Sequence, residues 1–341
     1  MTHDSGANGE ISLARREILF SVNFSDTNAD DAFDRITRLA TSSLDAPISV
    51  ISFTDGDRHW FKSVVGIDLT EVPARLSFCG HVDPAADLTE VPDAAADSRF
   101  AAHPFVAGPE HIRFFASIPL RTADHRVAGT LCVLDRKPRR LTAQQRQILV
   151  DLAGMVGHEM SIRRIAATDP LTGAWNRRML DAVADSEFCR ANRLKVPFSL
   201  ALLDLDHFKA VNDRHGHEAG NTALRLFADT FRSTMRREDW LFRVGGEEFA
   251  AILAGCEGDM AFEAVDRLRQ EIARRPMPGP EGGFTVTLSG AVIEAADRHG
   301  THHASLESLL RQADVGLYAA KRGGRNRIVK LDARRKQKRT L

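Results

Sequence analysis

The chain has 341 residues, enough for two domains with separate cores, and is 43% hydrophobic and 27% charged. Its 46 Lys and Arg balance 46 Asp and Glu, which points away from a disordered chain and from a protein that coats nucleic acid along its length. No apolar run approaches the ~20 residues of a membrane span, and Met1 to Glu10 is polar with no apolar signal core, so a cytoplasmic location is expected.

Residues 1–16 read as a flexible polar lead-in and residues 17–140 as a first domain. A helical pattern places Phe33, Ile36, Leu39 and Ala40 on one face. Ile48 to Phe53 alternates as a strand, Asp55-Gly56-Asp57 is a turn, and Trp60 to Val65 completes a hairpin. Residues 73–109 are rich in Ala, Asp and Pro and predict loops and short helices. Two more strands follow at Ile112 to Leu120 and Val127 to Leu134. The sum is an α+β domain, a central antiparallel sheet with helices on one face. His81, His103 and His111 share the loop region with Cys79, Asp93 and Asp97. A metal or haem site is one reading; ordinary hydrogen bonding is preferred, because compact His/Cys ligand spacing is lacking. Trp60, Phe78, Phe100, Phe105, Phe114 and Phe115 line a pocket or fill the core, and core is the commoner fate. Cys79, Cys132, Cys189 and Cys256 have no CxxC spacing and read as free thiols, with a pocket shared by Cys79 and Cys132 as the alternative.

Residues 141–168 form a connecting helix. Thr142 and Gln145 make a capping box. Ile148, Leu152, Met155, Glu159, Ile162 and Ala166 then step by four and three, a heptad-like seam with Glu159 as its polar interruption. A helix lying on its own sheet is one reading, and a parallel dimer helix is the favoured one. Pro170 ends the element.

Residues 169–331 form the second domain, and residues 332–341 a basic tail that reads as solvated. Helices are expected at Arg177 to Arg193, His207 to Arg214, His217 to Met235, Met260 to Arg274 and Leu306 to Arg322. Strands are expected at Pro197 to Asp204, Trp240 to Val244, Phe249 to Leu253, Phe284 to Val292 and Arg327 to Leu331. This is a ferredoxin-like order, predicting one sheet with its helices on one side. Glu247 and Glu248 ride on the turn Gly245-Gly246, where both can approach one ligand. Asp204 ends an apolar strand, where a carboxylate has no packing reason to be. Together they offer hard oxygen donors to Mg²⁺ or Mn²⁺, the metals of phosphate chemistry. Lys209 opens a helix whose backbone N–H groups make a phosphate seat. Taken alone, each of these features also reads as a solvated charged face.

Order and spacing add to this. Gly245-Gly246-Glu247-Glu248-Phe249 joins Asp169-Pro170-Leu171-Thr172-Gly173, Asp204-Leu205-Asp206-His207-Phe208-Lys209, Asn212-Asp213, Gly216-His217, and Leu317-Tyr318-Ala319-Ala320-Lys321 to Gly324-Arg325-Asn326-Arg327. From about Thr168 to Val329 this pattern resembles the diguanylate cyclase (GGDEF) family, in its GGEEF spelling. The first domain resembles a GAF domain through Ser77-Phe78-Cys79-Gly80-His81, Val91-Pro92-Asp93, Asp97-Ser98-Arg99-Phe100, Ile112-Arg113-Phe114-Phe115 and Gly129 to Asp135. The expected fold is thus α+β, a GAF domain joined by a helix to a ferredoxin-like nucleotidyl-cyclase domain.

The resemblance implies condensation of two GTP to cyclic di-GMP by a homodimer, one nucleotide per domain. It implies that Asp204, the carbonyl of Leu205, Glu247 and Glu248 hold two metal ions, Mg²⁺ or Mn²⁺, and that Glu247 and Glu248 are catalytic, Glu247 also taking up the ribose proton. Phe208, Lys209, Asn212, Asn221, Lys321 and Arg325 are implied substrate contacts. Arg236 and Asp239, an Arg-x-x-Asp ahead of the hairpin, resemble the family's inhibitory product site. The GAF domain implies a small-molecule ligand that the sequence does not name. Asn221 departs from the family's Asp. An amide offers one acceptor and one donor, and its NH₂ would face guanine's donors. Relaxed selectivity follows as an expectation, with ATP as a second substrate and mixed cyclic GMP–AMP as a product. A catalytically silent nucleotide-binding effector, and a GAF sensor with a vestigial output, are the other classes left open.

Overall fold

The structure, a computed structural model, describes residues 30–54, 58–78, 86–121, 127–277, 283–297, 299–301 and 305–331. The N-terminal lead-in, the Asp55-Gly56-Asp57 turn, Cys79, His81 and the basic tail lie outside the described residues. The chain divides into two units between Ala166 and Ala167.

In the first unit, α1 (Asp31–Leu44) buries Phe33, Ile36, Thr37, Ala40 and Leu44, one stripe at helical spacing. Leu39, expected on that stripe, is exposed, and Thr37 and Leu44 complete the face instead. Strands β1 (Ile48–Thr54), β2 (Arg58–Val65), β3 (Glu71–Pro73), β4 (Thr89–Val91), β5 (Phe114–Arg121) and β6 (Val127–Asp135) form one sheet in the order β3-β2-β1-β6-β5-β4. Every pairing is antiparallel. Ile51, Phe53, Phe114 and Ile118 face α1 and the long helix α3 (Ala143–Ala167). On the other face Ile48, Val50 and Phe115 pack with Phe78, Phe100 and Val106, the last from the short helix α2 (Pro104–Ala107).

The capping box forms as read: the Gln145 N–H donates to Thr142 Oγ1 at 3.1 Å and the Thr142 N–H to Gln145 Oε1 at 3.0 Å. Of the heptad-like seam, Leu152 is taken into the unit's own core while Met155 and Ile162 stay exposed. Leu149, Val156 and Met160 are buried in that core as well, and Ile165 is exposed. The helix returns along its own sheet, and that contact takes the inner half of the stripe. Glu159 has a separate employment, accepting from Arg163 Nε at 2.7 Å. Arg163 also grips buried Asp30 with two bonds of 2.6 and 2.7 Å, and Lys62 approaches Asp30 at 2.9 Å.

The second unit runs β7 (Trp175–Asn176), α4 (Arg177–Leu194), β8 (Phe198–Leu205), α5 (Phe208–His215), α6 (His217–Thr234), β9 (Trp240–Arg243), β10 (Glu248–Ala254), α7 (Gly258–Arg274), β11 (Leu288–Asp297), β12 (Gly300–Thr301), α8 (Leu306–Arg322) and β13 (Ile328–Leu331). The sheet order is β12-β11-β8-β10-β9-β7, with β13 parallel to β11. All eight residues of β8 are buried, which requires cover on both faces. The expected one-sided arrangement is therefore corrected. Leu203, Phe249 and Val292 pack under α6 and α7. On the opposite face Phe198 meets Phe188 of α4 edge-on at 5.1 Å. There α8 lies so close that a Cβ on Gly316 would come within 2.6 Å of Ala291 Cβ. The strand expected from Phe284 starts instead at Leu288 and runs to Asp297, Phe284 making only an isolated bridge to Met277. No helix among the described residues is long and apolar enough to cross a membrane.

Burial pushes the Asp30 carboxyl up, but Arg163 and Lys62 overcome it and hold it at about 2. The stability this ion pairing adds is complete above the ordinary carboxylate range and is lost as pH falls towards 2. Arg163→Met removes the guanidinium from buried Asp30, and a loss of about 2–4 kcal/mol is expected in denaturant unfolding of the first unit.

Candidate active site

Three strand ends build the site. Asp204, the penultimate residue of β8, is only 4% exposed. In the ladder it is registered opposite Glu248 of β10 and Ser289 of β11. Directly opposed residues project to the same face, so Asp204 and Glu248 share one side of the sheet. The Leu205 N–H reaches the Glu247 carbonyl at 3.4 Å, which closes the hairpin onto the end of β8. Lys321, from the last turn of α8, places Nζ 2.8 Å from Asp204 Oδ2. Burial pushes the Asp204 carboxyl up to about 6; Lys321 opposes the rise, and the negative charges of Glu247 and Glu248 reinforce it.

The hairpin tip is held by an arginine that sequence reasoning gave no role. Arg243 Nη1 lies 3.0 Å from both oxygens of Asp169, while its Nε and Nη2 donate to the Gly246 carbonyl at 3.1 and 2.7 Å. Burial raises the Asp169 pKa, but the hydroxyl and N–H of Thr172 together with Arg243 hold it below the usual carboxylate range. The signal was available: Asp169 opens one recognised motif, and Arg243 ends the strand two residues ahead of Gly245, a half-buried charge on an apolar strand.

Among the described residues, no three Asp, Glu, His or Cys side chains are gathered as a cation site. The donor types nonetheless suit a hard divalent cation: three carboxylates and the Leu205 carbonyl lie at adjacent strand ends, with Lys321 as the counter-charge on the most buried of them.

Helix α5 starts after His207, whose φ of 57° is left-handed and whose side chain makes no capping bond. Its first N–H groups are thus uncapped by a side chain, as an anion seat requires, and exposed Lys209 stands beside them. The Phe208 side chain is buried in the core, and its backbone N–H is the group at the start of α5 that can meet a ligand. Asn212 lays its Oδ1 against Gly220, where a Cβ would come within 2.0 Å, so any larger residue there would displace the Asn212 side chain. Next in sequence, Asn221 donates through Nδ2 to Glu218 Oε2 at 3.2 Å. One of the two amide hydrogens is thereby engaged within α6, and the other hydrogen and Oδ1 are left to offer. Arg325 is exposed on the turn after α8, with a φ of 56°.

The Arg236–Asp239 loop is closed on itself: the Arg236 N–H donates to Asp239 Oδ2 at 3.0 Å, and the Asp239 N–H to the Arg236 carbonyl at 3.1 Å. Burial pushes the Asp239 carboxyl up to about 6, and the Arg236 side chain is exposed. In the first unit, a cavity of about 50 Å³ is lined by Ile48, Val50, Phe61, Phe78, Phe105 and Cys132 among others. Of the six aromatics considered for a pocket, Phe78 and Phe105 line it, while Phe100, Phe114 and Phe115 are core. Trp60 packs against Phe53, with ring centres 5.5 Å apart. His103 accepts the Phe105 N–H at 3.2 Å as the N-cap of α2, and Asp97 pairs with Arg99 at 2.7 Å.

Residues 166–327 match the family model described as diguanylate cyclase, GGDEF domain, and residues 28–160 match the GAF domain model. The diguanylate cyclase DgcP of Pseudomonas aeruginosa is 29% identical over 308 residues, 83% of this chain and 44% of its own length. A cyclic di-GMP phosphodiesterase of the same organism is 31% identical over 227 residues, 66% of this chain and 38% of its own. The chain thus spans less than half the length of either relative. Among solved structures, the coiled coil and GGDEF domain of DgcB from Caulobacter crescentus, crystallised with c-di-GMP, overlays with a TM-score of 0.50 at 29% identity, covering 55% of this chain and 98% of that one. By these matches the chain carries a GAF domain followed by a GGDEF domain.

The raised Asp204 pKa has a definite sign. The folded protein keeps this proton to about pH 6, whereas an unfolded carboxyl loses it near 3.8. Its stabilising contribution is present below the unfolded value and lost as pH rises through the folded one. Without added metal, Asp204→Asn should therefore gain stability relative to the parent as pH rises from 3 to 8, on the order of 2–3 kcal/mol, read by thermal unfolding across pH.

Proposed function

We propose that this GAF–GGDEF chain is a diguanylate cyclase that joins two GTP into cyclic di-GMP and releases two diphosphates. The observation that carries the reading is buried Asp204, registered opposite Glu248 and capped by Lys321. In each half-reaction, a ribose 3′-oxygen bonds to the α-phosphorus of the other nucleotide as the bond to diphosphate breaks, and Glu247 takes the hydroxyl proton. Two divalent cations, Mg²⁺ or Mn²⁺, held by Asp204, the Leu205 carbonyl, Glu247 and Glu248, would supply charge neutralisation at the phosphates and a lowered hydroxyl pKa.

Lys321, Arg325, Lys209 and the first N–H groups of α5 bind the triphosphate. Asn212 and Asn221 hold the base. Asn221 donates one amide hydrogen to Glu218 and keeps Oδ1 for a guanine N–H and a second hydrogen for an acceptor such as adenine N1, so cyclic di-GMP is the main product and mixed cyclic GMP–AMP, from GTP plus ATP, a side product. Arg236 and Asp239 bind product and restrain the enzyme.

One domain holds one nucleotide, so two copies must meet, and alignment of the two bound nucleotides supplies much of the rate. Exposed Met155, Ile162 and Ile165 on α3 are the surface by which one copy pairs with the next. The GAF domain biases that pairing, and its cavity suits a small apolar ligand.

The test is turnover of the purified chain with Mg²⁺ and equimolar GTP and ATP, products resolved by mass. Cyclic di-GMP should dominate. A predominance of adenine-containing dinucleotides would overturn the base reading, and no dinucleotide at all would leave a silent effector. Glu247→Gln and Glu248→Gln should each lower activity by about 100-fold or more while keeping the thermal transition. Arg236→Ala should raise the product concentration for half-inhibition about tenfold; unchanged inhibition would argue against that site.

A further inference from the structure

We infer that Asp206 is a positioning residue for the phosphate-binding turn that carries Arg325, an inference that rests on the GTP reading of this site. Asp206 lies one residue beyond β8 and is 3% exposed. Its backbone N–H donates to the Thr287 carbonyl at 2.8 Å. Oδ1 accepts the Ser289 hydroxyl at 2.7 Å, and Oδ2 accepts the Thr287 hydroxyl at 2.7 Å and the Asn326 N–H at 3.0 Å. A buried carboxylate is thus met by three neutral donors drawn from two distant segments of the chain.

The segment it reaches is strained. Gly324, Arg325 and Asn326 have φ of 107°, 56° and 46°, and two of the three carry side chains. Consecutive left-handed residues other than glycine persist only where their surroundings over-determine them. Here the Asn326 N–H is tied to Asp206, Asn326 Oδ1 accepts Arg269 Nη1 at 2.9 Å, and the Arg325 N–H closes on the Ala320 carbonyl at 3.1 Å. Asp204 holds Lys321 at the other end of the same six-residue segment. The two carboxylates, two residues apart, therefore grip both ends of the basic segment. Asp204 takes a side-chain cation, and Asp206 takes a backbone N–H and so sets where Arg325 stands.

Asp206→Asn keeps the shape but turns an NH₂ onto one set of donors. Its amide exchange at Arg325 and Asn326, measured by NMR, should rise at least tenfold. Affinity for a non-hydrolysable GTP analogue should fall about tenfold, with the GTP KM rising more than kcat falls. Arg325→Ala should do the same, and the double variant should be no worse than Arg325→Ala alone. Asn326→Gly, which adopts the turn without strain, should restore part of the lost affinity in the Asp206→Asn background. If Asp206→Asn does not fold, Ser289→Ala loosens the same carboxylate and should show a smaller shift in both readouts. Faster exchange with unchanged affinity, or effects that add fully to those of Arg325→Ala, would make Asp206 merely structural and overturn the inference. Unchanged exchange would overturn the clamp itself. A parent chain without affinity for the GTP analogue would overturn the substrate reading and the phosphate role with it, while exchange would still report the clamp.

Discussion

Asp204 keeps a carboxylate at the end of a strand buried along its whole length, and the second unit is arranged around that difficulty. A centre strand covered on both faces has no water to solvate a charge at its tip, so the neighbours must answer it. Lys321 answers it from α8, a helix that packs tightly enough on β11 to require glycine at position 316. Glu248, opposite in the ladder, works against it and helps keep the carboxyl up near 6. A site so poised has a reason to accept added positive charge. The same strand end holds the glutamate-bearing hairpin through the Leu205–Glu247 backbone contact, and Arg243, paired with Asp169, holds the hairpin tip at the Gly246 carbonyl.

The first unit meets a comparable demand differently. Asp30 is buried with Lys62 and Arg163 beside it, so its charge is satisfied outright and its pKa falls. That network fastens the far part of α3 to the start of α1, within the same unit. Below it, the helix contributes Leu149, Val156 and Met160 to the GAF core, and Met155, Ile162 and Ile165 face outward. One helix therefore serves a core on one side and offers an apolar stripe on the other.

Most elements were legible in the sequence, because periodicity and caps are local signals. The Thr142–Gln145 box and the hairpin around Gly245-Gly246 formed where the residues put them. The misreadings came from burial that period alone does not report. Phe198 to Leu205 is a continuous apolar run, which already asks for cover on both faces, yet helices were expected on one. The α3 stripe fits a sheet or a second helix equally well, and only packing distinguishes them. Strands β7 and β12 are two residues each and carry no pattern. At the site, the carboxylates could be named from their motifs. Which partner each one holds could not: Lys321 on Asp204, Asn326 on Asp206 and Glu218 on Asn221 are contacts across turns and between elements.

The central claim is that the acidic ends of β8 and β10 become a divalent-cation site when nucleotide arrives and Lys321 exchanges Asp204 for phosphate. Anomalous diffraction from crystals grown with Mn²⁺ and a non-hydrolysable GTP analogue tests this most directly. The account predicts manganese peaks within ligand distance of Asp204, the Leu205 carbonyl and the Glu247–Glu248 pair, with Lys321 turned to a phosphate oxygen. Bound nucleotide with no manganese at these residues, and with the Lys321–Asp204 pair unbroken, would contradict it.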